Sequence, residues 1–206
     1  MNAAIRVFSV DDHALVREGI AMIINCQPGM LMVAQASNGR EAIKLFREHK
    51  PDVTLMDLRL PDMSGIDALH AIRRKFPRAR IVVFTAFEGD IEMRRAFEAG
   101  ACSYMLKSTL PNDLAETIRQ VHAGKKRVPP EVATRIAEHL SEEPLSAREV
   151  EVLKLAMTNR NRDIADRLSI AEETVKSHMK HIMEKLGASD RTQAVTIAAR
   201  RGIIHF

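Results

Sequence analysis

Asp11, Asp12, Asp57, Thr85 and Lys107 are polar or charged residues that each end a short apolar run. Asp11 and Asp12 close "IRVFSVDDH", Asp57 closes "DVTLMD", Thr85 closes "IVVFT" and Lys107 closes "SYMLK". A carboxylate at the end of a buried run costs several kcal/mol unless something compensates it. Taken singly, an aspartate at a strand end is a loop cap and a lysine there is solvated. Taken together they describe a site. Three clustered carboxylates repel, and one would take up a proton unless a cation neutralised it. Hard oxygen donors with positions left for water suit Mg²⁺. A lysine and a threonine beside that ion can neutralise and hydrogen-bond an anion with tetrahedral oxygens. An aspartate oxygen aimed at that anion is a candidate nucleophile. Asp57 therefore reads as a carboxylate that accepts a phosphoryl group.

Convergence of these residues requires a particular set of elements. Strand-forming runs occur at 5–10, 31–36, 52–56, 80–85 and 103–106. Between them, "NGREAIKLFREHK" puts Ala42, Ile43 and Phe46 on one helical face, and "SGIDALHAIRRKF" does so with Ile66, Leu69 and Ile72. "EGDIEMRRAFEAG" and "PNDLAETIRQVHAG" follow, each closing on glycine, the favoured helix stop. Strand–helix alternation repeated five times predicts a parallel sheet covered on both faces. The ligand crevice of such a sheet lies at the carboxyl ends of its strands, where the five residues would meet.

The texture changes after residue 124. "KKRVPPEVATRIAEHLSEEP" is basic, then proline-bearing, then acidic, with Val132, Ile136 and Leu140 every four residues. It predicts a linker with a short amphipathic helix. Beyond it the pattern is helical throughout, with helices expected at 147–157, 162–168, 172–186 and 191–201. The expected domains are 1–124, a linker 125–143, and 144–206. Residues 1–124 carry 16 Lys and Arg against 15 Asp and Glu; residues 125–206 carry 15 against 12. The second part is the more basic, a mild pointer to a polyanion. The composition, 46% hydrophobic and 28% charged, is that of a folded soluble protein. No apolar run approaches the ~20 residues of a membrane span, and the N-terminus lacks the pattern of a secretory signal. Cys26 and Cys102 share no motif spacing and are expected to be reduced thiols.

"SVDDH", "LMDLRLPDMSGID", "VVFTA" and "GACSYMLK" closely resemble the receiver domain of bacterial response regulators. The resemblance covers residues 4–124 and implies a flavodoxin-like (βα)₅ fold. It implies that a phosphohistidine on a sensor histidine kinase phosphorylates Asp57. Asp12 and Asp57, with the backbone carbonyl of Arg59, would hold Mg²⁺, and Asp11 would act mostly through water. Thr85 and Lys107 would bind the phosphoryl oxygens. Tyr104 would be the switch aromatic that turns inward when Thr85 moves toward the phosphate. Arg59 and Phe87 lie two residues beyond Asp57 and Thr85, where their side chains could overhang the phosphoryl group. Many receivers have proline where this chain has Ser108, which bears only on local loop geometry.

In "AEETVKSHMKHIMEKLG", Val175, Met179, Ile182 and Leu186 form a core stripe, while Glu173, Lys176, Ser177 and Lys180 face away. With "NRDIADRLSI" before it and a short turn between, this is a helix-turn-helix arrangement. "LSAREVEVLKLAM" and "RDIADRLSIAEETVKSHMKHIMEKLGASDRTQAV" resemble the LuxR-type four-helix DNA-binding domain. Joined to the receiver, the chain is similar to the NarL/FixJ class of response regulators. By position, Lys176, Ser177 and Lys180 would face the major groove, and Ala194, Val195 and Ala198 of the last helix would make a dimer contact on DNA. Two departures stand out. Thr158 replaces the usual glycine after the first helix, so Asn159, which tolerates the left-handed conformation, is expected to end that helix. Ala171 replaces the usual serine cap of the recognition helix, a loss of about 1 kcal/mol.

The implied protein is a cytoplasmic transcription regulator rather than an enzyme, with a sensor kinase and double-stranded DNA (two half-sites) as partners and a homodimer as the phosphorylated or DNA-bound form. No membrane contact is implied. A phosphatase of the haloacid dehalogenase type would want D-x-D on the first strand, whereas here the candidate nucleophile is on the third. A regulator that ignores phosphorylation would not need the complete acceptor set.

Overall fold

The structure is a computed structural model that describes residues 3–128, 130–138 and 143–204. The chain forms two compact units, residues 1–87 with 93–134, and residues 135–206 with the short segment 88–92.

In the first unit, β1 (Ile5–Val10), β2 (Met30–Ala36), β3 (Val53–Met56), β4 (Ile81–Thr85) and β5 (Ser103–Leu106) form one sheet in the order β2-β1-β3-β4-β5. Every pairing is parallel. β3 and β4 are buried along their whole length, as a sheet covered on both faces demands. The covering helices are α1 (Ala14–Asn25), α2 (Gly39–His49), α3 (Gly65–Lys75), α4 (Asp90–Glu98) and α5 (Pro111–His122). The order of strands reverses beside β1, so the crevice opens over the ends of β1 and β3.

α2 and α3 begin on side-chain caps: Asn38 accepts from Glu41 N–H, and Ser64 from Ile66 N–H. Asp62 reaches back to accept from Gly39 and Arg40 N–H at 2.7 and 2.9 Å, tying the β3–α3 loop to the start of α2. Those two N–H groups, Gly39 foremost, hold the Asp62 carboxyl below its ordinary range. α1 has no such signal. His13 makes no capping bond, Gly19 sits mid-helix, and Leu15 and Met22 are 88% and 70% exposed.

Part of the expected linker belongs to the sheet. Arg127 N–H donates to Cys102 carbonyl at 3.0 Å, pairs in parallel with Ser103, and its guanidinium donates to Thr117 Oγ1 at 2.8 Å. The amphipathic helix α6 (Pro130–Glu138) follows, with Val132 buried. Leu140, read as its third apolar position, lies outside the described residues.

The second unit contains α7 (Ala147–Ala156), α8 (Asn161–Leu168), α9 (Glu172–Leu186) and α10 (Arg191–Arg200). Val152, Leu153, Ile164, Val175, Met179 and Ile182 meet in its core. Two expectations need correction. Asn159 does not adopt the left-handed conformation: α7 ends on Met157 in right-handed geometry. Leu155 O accepts from Asn159 N–H at 3.0 Å and from Asn159 Nδ2 at 2.9 Å, and the Arg191 guanidinium donates to Ala156 O at 2.7 Å and to Asn159 O. Ala194 and Ala198 are fully buried in the domain core, and half-buried Val195 packs against it. The two alanines, enclosed by their own domain, offer no surface to a second copy, whereas Val195 stays partly exposed. The outward residues of α10 are Thr192, Gln193, Thr196 and Arg200. Among the described residues, no helix is long and apolar enough to cross a membrane.

Candidate phosphoacceptor pocket and nucleic-acid interface

Parallel pairing brings the five residues read from the strand ends to one edge. Asp11 and Asp57 are buried, Thr85 fully so, and Lys107 is 17% exposed at its side chain. Lys107 Nζ lies 2.6 Å from both Asp11 Oδ2 and Asp57 Oδ2. The contact with Asp57 has hydrogen-bond geometry; the contact with Asp11 is Coulombic and leaves Asp11 Oδ2 without an aligned donor. Burial disfavours the ammonium, but the two carboxylates outweigh it and hold Lys107 above the ordinary lysine range. The other oxygen of Asp57 accepts from Leu58 N–H at 2.7 Å and from Arg59 N–H at 3.4 Å. Asp57 is thus fixed in orientation by its own loop.

That loop depends on a close approach. A Cβ on Gly65 would fall 1.9 Å from the Asp57 carbonyl oxygen, so only glycine lets α3 start so near Asp57. Gly65 escaped the sequence reading, which treated it as part of a helix start. His13 was also given no role there. Its Nδ1 sits 2.6 Å from Asp12 Oδ1 and 3.3 Å from Asp11 Oδ1.

One ligand atom from each of Asp11, Asp12, His13 and Asp57 falls within 4.8 Å of the others. The carboxylate oxygens gathered there are hard donors that fit a divalent cation such as Mg²⁺. The imidazole suits it less well, so the oxygens are the matching donors.

Arg59 and Phe87, each two residues beyond a pocket residue, pack on each other. The Arg59 guanidinium stacks 4.3 Å from the centroid of the Phe87 ring, and Phe87 N–H approaches Thr85 Oγ1 at 3.5 Å. Tyr104 is fully buried and its hydroxyl donates to Phe87 O at 2.8 Å. The ring therefore already points inward in this structure.

In the second unit, α8 and α9 are joined through Ser169, which takes the left-handed conformation at φ 52° and lets Ile170 N–H return to Ala165 O at 3.0 Å. α9 starts on Ala171, which makes no side-chain cap. Lys176, Ser177 and Lys180 are exposed on the face away from Val175, Met179 and Ile182. Thr174 and His181 share that exposed side and were not singled out from the sequence. Lys176 is engaged with Glu173 at 3.1 Å, and Lys180 lies 3.9 Å from Glu184. The face offers cations and small polar groups at a helix N-terminus, the equipment for reading a major groove.

A profile for the response regulator receiver domain matches residues 7–119, and one for bacterial regulatory proteins of the luxR family matches 143–198. The transcriptional regulatory protein YxjL of Bacillus subtilis is 40% identical, over 97% of each chain. The response regulator protein VraR of Staphylococcus aureus is 37% identical over 97% of this chain and 99% of its own. Among solved structures, the response regulator RcsB in complex with DNA superposes with a TM-score of 0.72 at 25% identity, over 96% of this chain and 98% of that one. The chain belongs to the bacterial response regulators that join a receiver domain to a LuxR-type DNA-binding domain.

Proposed function

We propose that Asp57 accepts a phosphoryl group from a phosphohistidine on a sensor histidine kinase, and that this event governs sequence-specific DNA binding by the C-terminal helices. The observation that carries the reading is Lys107 Nζ at 2.6 Å from Asp57 Oδ2, with Asp11 beside it. An oxygen of Asp57 attacks phosphorus, the N–P bond breaks, and the imidazole leaves with its electron pair. Asp12 and Asp57 with the backbone carbonyl of Arg59 would hold Mg²⁺, Asp11 acting mostly through water, and the bound ion would neutralise charge at the phosphoryl group. Lys107 and Thr85 hold the phosphoryl oxygens by charge and hydrogen bond. The new group adds about −1.5 to −2 charge in a buried pocket, and Thr85 and Tyr104 pass that change on. No turnover of a substrate is needed, so the protein acts as a regulator and not as an enzyme.

The receiver spans residues 1–124 with the sheet-paired Arg127 attached to it, the rest of 125–143 serves as linker, and 144–206 is the DNA-binding domain. Lys176, Ser177 and Lys180 contact the duplex. The RcsB structures include two dimers bound to two parallel DNAs, which supports a dimer on paired half-sites here, in the cytosol. Incubation with acetyl phosphate and Mg²⁺ should add the mass of one phosphoryl group to the wild type and none to Asp57→Asn. Equal labelling of both proteins would refute the assignment.

A further inference from the structure

The groove between α2 and α3 takes no part in the pocket or the helix-turn-helix. It encloses about 200 Å³, and its floor is apolar: Ile43, Ala71, Ile72 and Phe76. Phe76 is braced from beneath by Phe46, ring centroids 5.2 Å apart. Along the α2 bank stand Arg40, Lys44 and Arg47, at i, i+4 and i+7, and Lys75 closes the α3 bank. All four are exposed. The helical rise sets Arg40 and Arg47 about 10 Å apart on one side of α2. Arg40 Nε is 4.0 Å from Asp62, whose oxygens already accept two backbone N–H groups. Among the described residues, no carboxylate lies within 4.0 Å of Lys44, Arg47 or Lys75.

Like charges one turn apart on a helix repel each other, and the half-buried Ile43, Ala71 and Phe76 leave part of the slot's apolar surface against water. One kind of occupant relieves both. We propose that this groove docks an acidic amphipathic helix of a partner protein. Its apolar side chains seat on Ile43, Ala71 and Phe76, and its carboxylates, one turn apart, meet Arg40, Lys44 and Arg47. Helix-in-groove recognition works in this way, with apolar anchors for affinity and charge for register. A nucleic-acid backbone would match the charges but would leave the apolar floor unfilled. A single small anion would reach only part of a 10 Å row of cations.

The probe is a fluorescein-labelled helical peptide of about four turns with leucines on one face and flanking glutamates one turn apart, titrated against the full chain by anisotropy. Lys44→Glu/Arg47→Glu should weaken binding about ten-fold or more while leaving thermal unfolding and DNA affinity unchanged. A peptide with lysines in place of the glutamates should then bind this variant better than the wild type. A peptide with serines in place of the leucines should bind the wild type weakly. Equal binding to variant and wild type, or equal binding of the serine peptide, would overturn the proposal. So would displacement of the peptide by an operator-free duplex, with loss of duplex affinity in the variant, because the groove would then be a nucleic-acid patch.

Discussion

At the scale of single residues, the lifetime of a phosphoryl group on Asp57 depends on whether water can line up behind it. Phe87 lies two residues beyond Thr85 with Arg59 stacked on its ring, and its carbonyl anchors the Tyr104 hydroxyl. Truncating the ring removes the stacked cover but leaves the backbone acceptor in place. Phe87→Ala is therefore predicted to shorten the phosphoryl lifetime several-fold, measured as decay of the phosphorylated mass after acetyl phosphate is removed; an unchanged decay rate would show that the ring does not restrict water. The acceptor set itself was legible in the sequence, because each member ends an apolar run and parallel pairing forces run ends together. Gly65 and His13 were not. The need for glycine arises from the approach of α3 to the Asp57 carbonyl, a contact that no local pattern encodes. The place of His13 depends on a loop turning its ring back toward Asp12.

At the scale of elements, legibility followed local physics. β1 and β5 match the sequence expectation residue for residue, since each is a short, largely apolar run closed by a charged residue. The first helix was not singled out. Its exposed Leu15 and Met22 blur the helical period, and neither cap nor first-turn acid marks its start. The end of α7 falls within one residue of the expected 147–157, but its right-handed finish is not legible in the sequence, because the groups that meet its last carbonyl include Arg191, 35 positions away in the chain. The start of α9 supports a quantitative test. Ala171 has extended geometry and no side-chain oxygen to accept from the first-turn N–H groups, so Ala171→Ser should stabilise the DNA-binding domain by about 1 kcal/mol, seen as a higher midpoint in urea. No gain would mean that the first-turn N–H groups are already met by solvent. The exposed face of the same helix has its own test. Lys176 must leave Glu173 to reach a phosphate, and each phosphate contact contributes about 0.9 to the slope of log affinity against log salt. Lys176→Ala and Lys180→Ala should each weaken duplex binding and flatten that slope by about this amount. Unchanged slopes in both would remove these lysines from the backbone contacts.

At the scale of the whole molecule, a pocket and a recognition helix in separate compact units make a switch only if their equilibria are linked. Phosphorylation biases a receiver between two states, and DNA binding must favour one of them. Linkage is reciprocal for binding free energies: if occupancy of the pocket raises DNA affinity by some factor, DNA raises affinity for the pocket's occupant by the same factor. Beryllofluoride, a non-covalent stand-in for the phosphoryl group, makes both halves of the cycle measurable at equilibrium. With Mg²⁺ present, its affinity for the wild type should rise when saturating operator duplex is added. The rise should equal the gain in duplex affinity measured with saturating beryllofluoride, within the roughly 5–150-fold range typical of such couplings. Lys107→Ala removes the cation 2.6 Å from Asp57 and should collapse both factors toward one together. Tight beryllofluoride binding with no change in duplex affinity would mean that the acceptor pocket is intact but uncoupled, and control of transcription would have to enter by another route, such as a partner helix bound between α2 and α3.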